Sequence, residues 1–414
     1  MDSSKLTHGH HEEHQPAYYG LPEKVVFCKR CVISNQRPTS VVEFKSSAGI
    51  EKKTVVAFDE EGVCSACRYA EMKATTIDWE KRERELLDLC ERFKSRNGSY
   101  DCIVPGSGGK DSVFASHLLK HKYGMNPLTV TWTPHKFTQV GWANFQAWID
   151  SGFDNILYSP NGKVHRLLTK LAFINLCHPF QPFIIGQKLV GPRVSALYDI
   201  PLVFYGENQA EYGNGIKEND HPKMDPSFYA KEPDIDALYL GGVSAKDLME
   251  KHGVSRNDLN PYLPISPDKL QKTGTEVHYL GYYVRWDPQE CYYYAAEHCG
   301  FQANTERSEG TYSKYSSIDD VVDYLHWYTT HIKFGLGHAT HDAAQEVRNG
   351  KITREEAVAL VRRYDGEFPR RWMPEILDYL AIDEDLFWNV IDRARSPHLW
   401  KKDGNNWILR HSVS

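Results

Sequence analysis

Between residues 100 and 206 the chain alternates short apolar runs with amphipathic stretches. The runs Tyr100–Pro105, Pro127–Thr133, Asn155–Ser159, Pro182–Gly186 and Pro201–Gly206 predict five strands. The segments near 111–122, 138–151, 161–176 and 187–198 predict helices between them. The third helix is the clearest, because Val164, Leu167, Leu168 and Leu171 fall on one face at helical spacing. Strands alternating with helices of this length imply an α/β fold, with a parallel sheet covered on both faces. An amphipathic helix over 78–94 leads into the first strand. Beyond the sheet the pattern turns helical. Thr353-Arg354-Glu355-Glu356 reads as a capping box ahead of Ala357, Leu360, Val361 and Tyr364, and residues 318–332 and 384–395 also fit helices. Aromatics crowd between about 278 and 315, including Tyr279, Tyr283, Trp286 and Tyr292 to Tyr294, a density that more often marks core than a sugar-binding face.

In a parallel sheet, ligands sit beyond the carboxyl ends of the strands. Three landmarks share that edge: residues 106–112, Thr131-Trp132-Thr133, and Gly206-Glu207-Asn208-Gln209. The polar stretch from Gln209 to about Asp234 follows the last strand and reads as a lid over the same edge.

Ser107-Gly108-Gly109-Lys110-Asp111-Ser112 lies between the first strand and its helix. Backbone N–H groups converge at such a turn, the helix dipole adds positive charge, and glycine lets phosphate oxygens come close. The spacing is not that of the common P-loop, because Asp111 follows Lys110 where Ser or Thr would stand. An acid beside phosphates needs a bridging divalent cation. The turn therefore points to a magnesium-dependent nucleotide site that handles a pyrophosphate.

Cys28, Cys31, Cys64 and Cys67 form two Cys-x-x-Cys pairs separated by residues 32–63. Four thiolates at this spacing suit one tetrahedral zinc. The segment between the pairs has too little apolar content for its own core, so metal would supply most of its folding energy, about 10–16 kcal/mol at neutral pH. A closed four-sulfur site braces a fold and does not catalyse.

The 414 residues divide into a histidine-rich tail expected to be disordered (1–20), a four-cysteine zinc module (21–77), a nucleotide-binding α/β domain (78–235) and a mainly helical substrate or partner region (236–414). A net charge of −6 without a long basic run argues against a nucleic-acid partner. No stretch reaches the roughly 18 apolar residues of a membrane span, and the N-terminus has no apolar core of a secretory signal. Nine cysteines without such a signal fit a reducing, cytoplasmic setting.

The hexad Ser107–Ser112 resembles the signature of the PP-loop ATP pyrophosphatases (adenine nucleotide alpha-hydrolase-like), which split ATP between the α- and β-phosphates and adenylate an oxygen. The order of cysteine pairs, PP-loop, Gly-Glu-Asn-Gln and aromatic helical tail resembles the N-acetyl-sugar amidotransferases of bacterial lipopolysaccharide and pseudaminic or legionaminic acid pathways. That likeness runs from about Cys28 to at least Pro369, through Gln181–Lys188, Val203–Gly213, Trp286–Tyr293 and Glu309–Tyr315. It implies an enzyme that turns an N-acetyl group into an acetamidino group, with ATP, Mg2+ and structural zinc. Ser107, Gly108, Gly109 and Ser112 would cradle phosphate with Lys110 assisting, Asp111 would hold magnesium, and Thr131 and Trp132 would lie near adenine. Glu207 and Asn208 would orient the amide or ammonia. Lys188, Arg193, Gln209, Arg307, Lys314 and Lys333 are candidate contacts to pyrophosphate or to the N-acetylated sugar or nucleotide-sugar substrate.

The chain shows no glutaminase nucleophile outside the zinc cysteines, so a separate glutaminase subunit is the expected ammonia source. Two other readings remain. One is a tRNA-thiolating PP-loop enzyme, against which the later cysteines Cys177, Cys291 and Cys299 form no Cys-x-x-Cys pair. The other is a non-catalytic, zinc-stabilised nucleotide-binding protein.

Overall fold

A computed structural model describes residues 15–40, 42–45, 52–215 and 220–414. The four histidines of the expected tail, His8, His10, His11 and His14, lie outside these residues, as do 216–219 of the expected lid.

The centre is a parallel sheet of five strands: β1 (Cys102–Pro105), β2 (Pro127–Trp132), β3 (Asn155–Tyr158), β4 (Leu202–Tyr205) and β5 (Glu276–Tyr279). Their spatial order is β3-β2-β1-β4-β5, with Cys102 beside Pro127, Thr129 beside Asn155 and Leu202 beside Glu276. Order reverses at β1, so the crevice beyond the carboxyl ends of β1 and β4 is the switch point.

Both sheet faces are buried, which is why the strands read as apolar runs without alternation. Ile103, Val130, Val203 and Val277 point into one core, and Cys102, Val104, Leu202 and Phe204 into the other. Each fully buried Leu, Val or Phe contributes about 1.5–3 kcal/mol.

One predicted strand is a helix. Pro182–Gly186 belongs to α1 (Gln181–Tyr198). A short apolar run cannot distinguish a buried strand from a buried helix by period alone. Here Pro182 occupies the first helical turn, where its missing N–H costs nothing. Gly186 lies against the Trp132 ring, and a Cβ there would come within 2.1 Å of it. The fifth strand is instead β5, drawn from the aromatic stretch.

The other helices follow the pattern. α2 (Lys110–His121) opens at the glycine turn, and Thr138 caps α3 (Gln139–Asp150) by accepting from Gly141 N at 2.9 Å. On Gly162–Leu176, Val164 and Leu168 are buried and Leu167 and Leu171 pack on the same core. The Thr353–Glu356 capping box is made in both directions, at 2.7 and 3.2 Å.

The chain ends close on each other. Val32, Ile33 and Val56 of the cysteine module pack with Ala343, Ala344, Ala357 and Val413. His398 Nε2 lies 3.0 Å from Gln36 Oε1. Among the described residues no helix is long and apolar enough to cross a membrane.

Candidate functional site

Gly106 ends β1 against Ser112, where a Cβ would meet the Ser112 Cβ at 2.1 Å. Gly108 has φ +84° and approaches the Phe145 backbone so closely that a Cβ would lie 2.7 Å from its Cα. Both contacts demand glycine and fold the turn tightly over α2. Gly109 caps α2 without a side-chain hydrogen bond, and the first helical bond runs from Val113 N to Gly109 O at 3.1 Å. The N–H groups of residues 110–112 are thus left for an anion. Ser112 Oγ donates to Gly109 O at 2.9 Å and braces the turn from beneath.

The turn opens on a cavity of about 330 Å3. Ser107 to Asp111 form one wall, and Glu207, just past β4, forms another. Asp287, Asp319, Asp320, Asp323, Asp342 and Glu346 join Asp111 and Glu207, so that eight carboxylates face one lysine, Lys110. Like charges about 4 Å apart repel by about 4 kcal/mol at an effective dielectric of about 20. Some of these acids already have partners: Asp287 lies 3.3 Å from Lys351 Nζ, Asp320 accepts from His135 N at 2.7 Å, and Tyr312 donates to Glu346 at 2.7 Å.

Burial shifts the titration of some of these groups. Burial pushes Glu207 above the usual carboxylate range, Asp111 adds to the shift, and a hydrogen bond from the Tyr212 hydroxyl opposes it. Burial likewise raises Asp319, against a hydrogen bond from Ser107, and raises Asp323 further. Burial works against the charge of Lys110, yet Asp111 at 2.5 Å more than offsets this, and its ammonium titrates at about 12. His338 and His341 are held below the usual histidine range by burial. His338 stacks on Trp327 at 4.3 Å, and His341 on Tyr212 at 5.5 Å.

Asp111, in the first turn of α2, suits magnesium. Among the described residues, the four cysteines are the one group of three or more His, Cys, Asp or Glu placed to hold a metal. A magnesium here would therefore take most of its ligands from phosphate oxygens and water, as this ion usually does.

The other candidate metal site is closed. The ligand atoms of Cys28, Cys31, Cys64 and Cys67 lie within 4.8 Å of one another, all buried. Cys28 and Cys67 sulfurs are 3.9 Å apart and those of Cys31 and Cys64 3.7 Å. A tetrahedron with Zn–S of about 2.3 Å has edges of about 3.8 Å, so the four sulfurs fit zinc. The backbone N–H groups of Arg30, Cys31 and Cys64 donate to Cys28 Sγ at 3.3–3.5 Å.

This cluster touches the cavity through the segment after β4. Ser65 Oγ donates to Gly213 O at 2.6 Å, and Lys73 Nζ reaches Glu211 at 2.6 Å and Trp286 O at 2.8 Å. The segment 207–213, which carries Glu207 and Tyr212, is thereby pinned to the cysteine module.

Other expected site residues are placed elsewhere. Thr131 and Trp132 are buried in the core, where Trp132 stacks on Tyr158 at 5.4 Å. Asn208 caps the short turn Gln209–Tyr212 by accepting from Ala210 N at 3.0 Å, and Gln209 accepts from Asn214 at 2.8 Å. Arg193 donates to the carbonyls of Asn260, Pro261 and Leu263. Arg307 pairs with Glu367 at 2.5 and 2.7 Å, and exposed Lys314 donates to Thr305 O at 2.9 Å. Lys188 and Lys333 line a second, adjoining cavity.

Sequence reasoning missed the far wall. Asp319 and Asp320 precede a helix in the manner of an N-cap, and Asp320 does cap Val321–Phe334. Nothing local reveals that Asp319 meets Ser107 across the fold.

That wall lies in a recognisable region. Residues 309–413 match the family model described as "LPS biosynthesis protein WbpG-like, C-terminal domain". The match supports a lipopolysaccharide-biosynthesis family. It contains Asp319, Asp323, Trp327, His338, His341 and Asp342, all of which line the cavity. A stretch of 78 residues, 19% of the chain, is 36% identical to "Uncharacterized protein MJ1599" of Methanocaldococcus jannaschii. It spans 27% of that protein.

Proposed function

We propose that the protein is an ATP-dependent amidotransferase acting on an N-acetylated sugar of lipopolysaccharide or a related bacterial surface glycan. The observation that carries this reading is the glycine turn between β1 and α2, with uncapped N–H groups opening on an acid-lined cavity shared with Glu207. The match of residues 309–413 to a WbpG-like domain of LPS biosynthesis agrees with a sugar as substrate.

An amide resists ammonia because its oxygen leaves poorly. In the proposed reaction the amide oxygen attacks the α-phosphorus of ATP and pyrophosphate departs. Ammonia then adds to the activated carbon, AMP leaves with the oxygen, and an acetamidino group remains. Magnesium, when bound, would offset charge on the phosphates. The turn's N–H groups and Lys110 would bind the β- and γ-phosphates as they separate. Asp111 would hold the ion. Glu207, raised above the usual carboxylate range, is a better proton acceptor than an ordinary carboxylate and would take the proton that ammonia sheds.

Ammonia would come from a separate glutaminase subunit. The four paired cysteines are gathered into one buried cluster and offer no nucleophile. The thiolating alternative typically uses additional cysteines after the turn. Cys291 lies nearby, but it is buried, does not line the cavity, and has its thiol pushed well up by burial.

The reading is tested by incubating the protein with ATP, magnesium, ammonium and candidate acetamido sugars. Sugar-dependent formation of AMP and pyrophosphate is expected, with ammonium but not glutamine as nitrogen source for the chain alone. AMP release that depends on tRNA would replace this reading with thiolation. Tight ATP binding without turnover would leave a nucleotide-binding protein.

A further inference from the structure

Tyr212 lines the cavity beside Glu207 and takes no part in the steps above. It ends the short turn Gln209–Tyr212, which Asn208 caps and Gly213 closes at φ +84°. Its hydroxyl donates to Glu207 Oε1. Among the described residues it is the side chain that hydrogen-bonds this carboxylate. A buried carboxylate held by one oxygen presents the other, Oε2, in a fixed direction.

The ring of Tyr212 is itself held by two neighbours. His341 stacks on it at 5.5 Å with 19° between the planes, and the Arg37 guanidinium lies 5.3 Å from its centroid. His341 meets Trp327 at 5.1 Å, and Trp327 stacks on His338 at 4.3 Å with 2° between the planes. Trp327 Nε1 donates to Ser317 Oγ at 3.0 Å, which anchors the row of rings. Burial keeps His341 well below the usual histidine range, so the face it offers Tyr212 is uncharged near neutral pH.

Packing alone gives no reason for a hydroxyl here, since burying one without a partner costs about 1–3 kcal/mol. The partner is selective. Of the two acids on this segment, Glu211 pairs with Lys73 and does not line the cavity. Glu207, which does line it, receives the hydroxyl.

We infer that Tyr212 is a positioning residue for nitrogen transfer, holding Glu207 by Oε1 so that Oε2 receives the proton. In that step the ammonia lone pair adds to the adenylated carbon. One N–H proton passes to Glu207 Oε2, and the C–O bond breaks with its electron pair leaving on AMP. Adenylation, in which the amide oxygen displaces pyrophosphate, involves no ammonia proton and does not use the pair. The inference rests on the function proposed above, because it takes Glu207 to be the base.

Tyr212→Phe removes the hydroxyl and keeps the ring against His341 and Arg37. Two measurements separate the steps: sugar-dependent exchange of labelled pyrophosphate into ATP without ammonium, and acetamidino formation with it. Exchange is expected to persist, while acetamidino formation falls at least about tenfold, as for a displaced catalytic group. Glu207→Gln is expected to lose nitrogen transfer too, and adding Tyr212→Phe to it should cost little more, because the tyrosine acts through the acid. His341→Ala, which frees the ring and leaves the hydroxyl, serves as a second variant with the same expected split. The inference is overturned if both variants transfer nitrogen like the parent, if exchange slows to the same extent, or if the losses from Glu207→Gln and Tyr212→Phe multiply. Difference infrared spectra give a readout without turnover. The carboxyl band that Glu207→Gln removes is expected to shift in Tyr212→Phe, and an unmoved band overturns the inference. Absence of exchange in the parent would count against the proposed function, and the infrared comparison would still decide this one.

Discussion

At the residue scale, Asp111 and Lys188 carry opposite burdens. Asp111 sits in the first turn of α2, clasped by Lys110. Asp111→Asn removes the one carboxylate at the turn that can face a magnesium bound to phosphate. AMP formation is expected to fall at least about 100-fold, by analogy with loss of one preorganised charge-stabilising group. Zinc content and melting temperature should be retained, and wild-type turnover in the variant would remove Asp111 from the ion. Lys188 binds protons less tightly folded than unfolded, because burial lowers it to about 8. Between there and the ordinary lysine value of about 10.4 the unfolded chain holds more protons, so this group's contribution to stability rises with pH. Below that window its penalty is full. Lys188→Met should therefore melt no lower than the parent at pH 7, with a shallower rise in stability from pH 8 to 10. An unchanged slope would show that Lys188 is not perturbed. The hexad was legible because strand, glycines and helix are contiguous. Asp319, Asp323 and Asp342 were not, since only tertiary packing brings them to the turn.

At the element scale, the cysteine module is bonded to the segment that follows β4. Its first helix, Ser65–Thr75, bonds through Ser65 and Lys73 to Gly213, Glu211 and Trp286 O. Structural zinc of about 10–16 kcal/mol is comparable to the whole stability of a domain, so the module is expected to unfold without it. Cys64→Ser, or treatment with a strong chelator, should release the metal, abolish turnover and accelerate amide exchange in residues 207–213. Full exchange protection there after zinc loss would separate the module from the site. The cysteine spacing announced this element, and the capping box at Thr353 announced another. The segment Pro182–Gly186 misled because Phe183, Ile184 and Ile185 are apolar whichever way the backbone turns. In the helix, Gly186 lies on Trp132 where a Cβ would not fit. Strand β5 was missed for the converse reason: His278 and the polar Glu276 interrupt its apolar run, although it completes the sheet beside β4.

At the scale of the whole molecule, two cavities of opposite charge meet at Trp327 and His341, beyond the carboxyl ends of β1 and β4. The acidic one is the site proposed for a nucleotide accompanied by magnesium. The region matching the WbpG-like domain supplies Trp327 and His341, which line both. The account turns on the amide oxygen being the atom that receives AMP. A substrate carrying heavy oxygen in its acetamido carbonyl tests this directly, with the phosphate products analysed by mass spectrometry. The label is predicted in AMP, with none in pyrophosphate. Formation of ADP and orthophosphate, or AMP without the label, would contradict it.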